Sequence, residues 1–177
     1  MIREPEDEQI DSFEKLEFYP GALYYLSKIA RELDYELVMV TNQDGLGTDA
    51  FPEDTFHPVH NLIVRTFANE GVIFDKQFID RSFPEDNSPN RKPRTGLLQD
   101  YFTDAYDLGN SFVIGDRLTD IELAKNLGAQ GIFINNQRAL GESELSATPV
   151  ELEGSISLET DDWGEIYEFL KLRERSV

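Results

Sequence analysis

The chain has 177 residues, 40% of them hydrophobic, and its 16 basic against 35 acidic side chains give a formal charge of −19. That length supports one domain, or one with a small attachment, around a real core, and so acidic a surface argues against nucleic acid or an anionic membrane as partner. The absence of cysteine excludes disulfides and thiolate metal sites; no apolar run approaches the roughly 20 residues of a membrane span, the opening MIREPEDEQIDS lacks a signal peptide's apolar region, and a cytoplasmic protein is expected.

Residues 1–12 are polar and show no strand signal, so they read as a separate N-terminal segment. Tyr19-Pro20-Gly21 is a helix entry. Behind it Ala22, Leu23, Leu26, Ile29, Ala30 and Leu33 recur at helical spacing, which predicts an amphipathic helix over 20–34. Residues 36–41, ELVMVT, read as a buried parallel strand. After the polar loop NQDGLGTDAFPEDT, the residues Val59, Leu62, Ile63 and Phe67 mark a second helix ending at Gly71. KQFID, 76–80, reads as a strand, and 81–94 as a loop dense in Pro, Ser and Asn. Leu97, Leu98, Tyr101 and Phe102 give another helical stripe.

The strand SFVI, 111–114, ends at Gly115. DRLTDIELAKNLG then opens a helix that stops at Gly128, and GIFIN, 131–135, is a further strand. Residues 137–154 read as an acidic loop, 155–158 as a short edge strand, and 161–173 as a closing helix capped by Asp161. Alternating helices and strands predict an α/β fold, a doubly wound parallel sheet with helices on both faces. Its body is expected at 13–136, with 137–177 as a C-terminal attachment.

Three stretches carry chemistry, each at or after a strand's carboxyl end, where open α/β sheets bind ligands. Thr41-Asn42-Gln43-Asp44-Gly45-Leu46-Gly47 can surround a phosphoryl oxygen with donors; a plain βα loop capped by Thr41 would read the same way. Arg91-Lys92-Pro93-Arg94 concentrates cations in an acidic chain, and Lys92 can neutralise a phosphate as a point charge; a solvated, charge-balancing loop is the alternative. Asp116 follows Gly115 at a strand tip, and Asp116 with Asp120, one helical turn on, can cradle Mg²⁺; alternatively Asp116 is an ordinary helix cap.

A hydroxyl, a lysine and a Gly-Asp pair in this order resemble the haloacid dehalogenase superfamily of phosphotransferases. TNQDGLGTDAFP, HNLIVRTFANEGVIFD, RKP and NSFVIGDRLTDIELAKNLG are similar to histidinol-phosphate phosphatase domains, notably those preceding an imidazoleglycerol-phosphate dehydratase domain. The likeness covers roughly residues 2–135, and FLKLRERSV is similar to the segment where such a dehydratase begins. The resemblance implies that Thr41 hydrogen-bonds the phosphoryl group, that Lys92 stabilises its charge, and that Asp116 ligates Mg²⁺. Asn42, Gln43 and Arg91 are the expected substrate contacts, with histidinol phosphate as the substrate. Asp120 is left a helix-stabilising or outer role.

Two departures qualify the resemblance. The family's first, central strand ends in Asp-x-Asp-Gly-Thr, whose first Asp is the nucleophile and whose second is the general acid/base. No Asp-x-Asp stands anywhere in these 177 residues, so a late-assigned start or a trimmed chain is expected, with Mg²⁺ held weakly and no hydrolysis by these residues alone. The alternative is a non-catalytic binding or scaffold domain. The strand's absence leaves a gap that its neighbours could close, that another copy could fill by self-association, or that could loosen the fold. Related phosphatases also carry a zinc loop whose four ligand positions are occupied here by Asp80, Ser82, Ser88 and Asn90. Three are neutral oxygen types, so no zinc is expected. His57 and His60 are expected in or beside the second helix's first turn rather than on a metal, and Trp163 in packing.

Overall fold

The computed structural model describes residues 1–3, 5, 7–134 and 142–174. These fall into two units, one within Met1–Ser82 and Asp162–Val177, the other within Phe83–Asp161.

The first unit opens with β1 (Ile2–Arg3), paired antiparallel with β2 (Glu17–Phe18). This corrects the expectation of no strand before residue 13. Two residues are too few for an alternating pattern, and the pairing rests on particular contacts instead. Arg3 Nη1 meets Glu17 Oε1 at 2.7 Å, and the Tyr19 N–H donates to the Met1 carbonyl at 3.0 Å. Helix α1 (Ala22–Glu32) follows where the spacing placed it and buries Ala22, Leu26 and Ile29. β3 (Val38–Asn42) runs parallel to β4 (Lys76–Asp80), with Thr41 opposite Ile79 and Asn42 opposite Asp80. Between them α2 (Glu53–Asn69) starts well before the apolar stripe that announced it. Glu53 and Asp54 in its first turn suit the positive end of the helix dipole, and the helix continues through Pro58 at the loss of one backbone donor.

In the second unit Gly96–Tyr101 is a 3₁₀ helix, broken at Leu98 by non-helical backbone angles, rather than the α-helix its stripe suggested. Leu98 and Tyr101 are still buried. β5 (Phe112–Gly115), β6 (Gln130–Ile134) and β7 (Ile156–Thr160) form a parallel sheet in that order, with β7 at its edge as expected. Helix α3 (Leu118–Leu127) packs on β5 and β6. It ends at Gly128, whose φ of 75° is left-handed, and the Ala129 N–H returns to the Ala124 carbonyl at 2.9 Å.

Asn135, residues 137–141 of the acidic loop, and residues 175–177 lie outside the described residues. The rest of that loop is structured. The helical turn α4 (Pro149–Leu152) has Thr148 as its cap and Pro149 as its first residue. The chain returns to the first unit as α5 (Trp163–Glu174), which packs on α1 and buries Trp163, Ile166, Tyr167 and Leu170. Its cap is Asp162, not Asp161, because Asp162 Oδ1 takes the Gly164 N–H at 2.7 Å. The α/β, parallel character is as predicted. Among the described residues β3 and β5 lie in different sheets.

Candidate active site

In the first unit the candidate residues lie at the end of β3. Gln43 Nε2 donates to Thr41 Oγ1 at 2.7 Å, and the Gln43 N–H donates to the Asp80 carbonyl at 2.7 Å. The Gly45 N–H reaches the Arg81 carbonyl at 3.2 Å, so the loop after β3 is tied to the end of β4. Gly45 and Gly47 have φ of 68° and 97°, angles that disfavour other residues. Leu46, Phe51 and Phe56 pack together with Ile79, which fixes the loop from below. Arg81 Nη1 pairs with Glu53 Oε1 at the loop's rim, and the Arg81 and His57 contacts hold the Glu53 carboxyl below its usual range. His57 meets Glu53 at 3.3 Å, while His60 meets Gln77 at 2.9 Å and stacks on Phe56.

In the second unit the candidate residues are Lys92, Asp116 and Asp120. Lys92 Nζ donates to Asp120 Oδ1 at 2.8 Å, and the Arg117 N–H donates to Asp120 Oδ2 at 3.2 Å. Asp120 therefore acts at once as first-turn acceptor of α3 and as counterion of Lys92, which sharpens the helix-stabilising role read from the sequence. Gly115 permits this. A Cβ there would overlap the Asp120 side chain. Burial, and next the Asp120 carboxylate, push the Asp116 carboxyl above its ordinary value, with Lys92 acting in the opposite direction. Arg91 is 2% exposed. Its Nε and Nη2 donate to Glu144 Oε2 and Oε1 at 2.6 and 3.0 Å.

Residues 89–150, which hold Lys92, Asp116 and Asp120, match the family model described as HAD-hydrolase-like. The chain is also similar to a solved D,D-heptose 1,7-bisphosphate phosphatase from B. bronchiseptica complexed with magnesium and phosphate. The TM-score is 0.77 at 24% identity over 97% of this chain and 92% of that one. The fold of this chain is haloacid dehalogenase-like. A solved putative HAD-like phosphatase from Mesorhizobium loti aligns with a TM-score of 0.69 at 22% identity over 98% of this chain and 81% of that one. In sequence the chain is 53% identical to the histidine biosynthesis bifunctional protein HisB of Spirosoma linguale, over 100% of this chain and 47% of the relative. It is 51% identical to the HisB of Bacteroides fragilis, over 99% and 46%. The chain thus spans about half the length of the curated relatives it matches.

On this haloacid dehalogenase-like fold, Lys92, Asp116 and Asp120 come together in one unit, while Thr41, Asn42 and Gln43 belong to the other. Sequence reasoning missed Glu144 and Glu122. Both carboxylate oxygens of the buried Glu122 accept the Ser146 N–H, at 3.1 and 3.0 Å. Nothing in the local pattern marks Glu144 among so many acids. Glu122 stands in a helix where an acid is ordinarily solvated, and only its burial reveals it. No helix among the described residues is long and apolar enough to cross a membrane.

Proposed function

We propose that the chain is the phosphatase portion of a bifunctional histidine-biosynthesis protein, cytoplasmic, acting on histidinol phosphate beside an imidazoleglycerol-phosphate dehydratase portion. The observation that carries the reading is the pairing of Lys92 with Asp120 one helical turn beyond Asp116. The relatives' names supply histidine biosynthesis and the bifunctional character, and histidinol phosphate comes from the resemblance of the motifs. Lys92 balances phosphoryl charge, Thr41 donates to a phosphoryl oxygen, and Asn42 and Gln43 orient the substrate.

Asp116 fits Mg²⁺. Its carboxylate is desolvated and faces a second carboxylate, so a divalent cation relieves an unfavourable charge. When bound, Mg²⁺ supplies charge neutralisation at the phosphate. A phosphate monoester is among the slowest substrates to hydrolyse unaided, and the family's chemistry needs an attacking carboxylate. The 177 residues contain no Asp-x-Asp to provide it. These residues alone are therefore expected to bind phosphate without turnover. The same observation favours the second reading, a non-catalytic binding domain.

The experiment compares two purified proteins in histidinol phosphate hydrolysis: the 177-residue chain, and the same chain preceded by an apolar strand ending in Asp-x-Asp-Gly-Thr. Turnover only by the extended protein supports the phosphatase reading. Turnover by the 177-residue chain refutes its inactivity. Turnover by neither leaves the binding-domain reading in possession.

A further inference from the structure

The turn that carries Lys92 is pinned by its neighbour Arg91, which the resemblance makes a substrate contact and which is bonded here to Glu144. Arg91 is buried, and both carboxylate oxygens of Glu144 receive its guanidinium. Bidentate geometry of this kind is what makes a desolvated arginine tolerable. The next side chain, Lys92, reaches a different partner, Asp120 on α3. Adjacent residues of one turn are thus bonded to two separate segments. A third tie runs from Asn126 Nδ2 to the Pro93 carbonyl at 3.0 Å.

The Glu144 side of this arrangement is itself anchored. Two residues on, the Ser146 N–H is held by both oxygens of Glu122, and Glu122 stands on α3 beside Asp120. Residues 144–146 therefore strap the Lys92 turn to the helix that carries its counterion. For Arg91 to touch a substrate it would have to give up both bonds to Glu144, whose side chain is only 14% exposed.

We infer that Glu144 is a positioning residue for Lys92, acting through Arg91. It fixes the turn so that the ammonium group meets Asp120 and the phosphoryl oxygens in one place. This rests on the reading that Lys92 contacts phosphate.

The test uses the 177-residue chain with magnesium chloride, titrated calorimetrically with inorganic phosphate. E144Q weakens phosphate binding by about tenfold, the scale of losing a positioning partner, and E144D recovers part of it. In a K92M background, E144Q has no further effect. Without phosphate, the ¹⁵N–¹H signals of the Lys92 ammonium, slowed in exchange by Asp120, disappear in E144Q. If E144Q fails to fold by circular dichroism, R91K carries the same readouts, since it keeps the charge but loses the bidentate geometry. Phosphate bound by E144Q as tightly as by the parent overturns the inference, as does an equal loss in both backgrounds. If the parent binds no phosphate, the phosphate-site reading falls, and the Lys92 signals alone decide whether Glu144 positions that side chain.

Discussion

Lys92 Nζ lies 2.8 Å from Asp120 Oδ1, with side-chain exposures of 15% and 8%. The pair is withdrawn from water, so each charge depends on the other far more than a surface pair does. Asp120 has a second duty, accepting the Arg117 N–H at the start of α3. The charge that a phosphate would meet is therefore coupled to the beginning of a helix.

Lys92→Met removes one partner and leaves a buried carboxylate. We expect a loss of about 3 kcal/mol of stability in urea unfolding together with weaker phosphate binding. K92M/D120N should regain part of the stability but none of the binding, because the amide oxygen of Asn can still accept the Arg117 N–H. Equal stability of K92M and the parent would show that the pair is energetically idle.

Gly115→Ala places a methyl group inside the volume of the Asp120 side chain. Either the end of β5 or the first turn of α3 must shift. Overpacking of this kind costs about 1–3 kcal/mol, and Lys92 loses its partner's position with it. The expected outcome is lower stability and weaker phosphate binding together, read by urea unfolding and calorimetry. A G115A chain with parental stability would mean that Asp120 turns away freely.

Most of this fold was legible because periodicity survives in long elements. The stripe from Ala22 to Leu33 and the run KQFID each appear where their spacing placed them. Short elements escaped. β1 and β2 have two residues each and depend on Arg3 meeting Glu17. α4 was readable from Thr148-Pro149 with Glu151 three residues beyond the cap, but that signal was submerged in an acidic stretch. At the candidate site, Lys92 stood out in the sequence as one of three cations within four residues and Asp116 by its place at a strand tip. The bonds from Arg91 to Glu144 join residues 53 apart in sequence, and no local pattern encodes such a pairing.

The four positions that align with a zinc loop in related phosphatases are engaged locally. Asp80 Oδ1 accepts the Ser82 N–H at 3.0 Å and also the Ser82 hydroxyl, while the Asn90 N–H donates to Ser88 Oγ at 3.2 Å. Such side-chain bonds to nearby backbone close loops without a metal. Mass-spectrometric metal analysis of the dialysed chain is expected to find zinc well below one equivalent, and a stoichiometric, dialysis-resistant zinc would overturn this.

Asp116 contributes a pH dependence of its own to the apo chain. Burial and Asp120 raise its carboxyl in the folded state relative to the unfolded one. Below the ordinary carboxylate range both states hold the proton and the group contributes nothing. As pH rises through that range the unfolded state releases its proton while the folded state retains it, so stability falls with pH until the raised folded value is passed. Asp116→Asn cannot titrate and lacks this decline. Without metal, D116N should therefore be more stable than the parent at pH 7 and indistinguishable from it at pH 3. Magnesium chloride should reverse the order at pH 7, because a cation that binds only the folded parent stabilises it by mass action and D116N has lost the charged ligand. Urea unfolding at pH 3 and 7, with and without magnesium, checks both signs. A parent that equals D116N at pH 7 in the absence of metal, or that gains nothing from magnesium, would remove Asp116 from the proposed site.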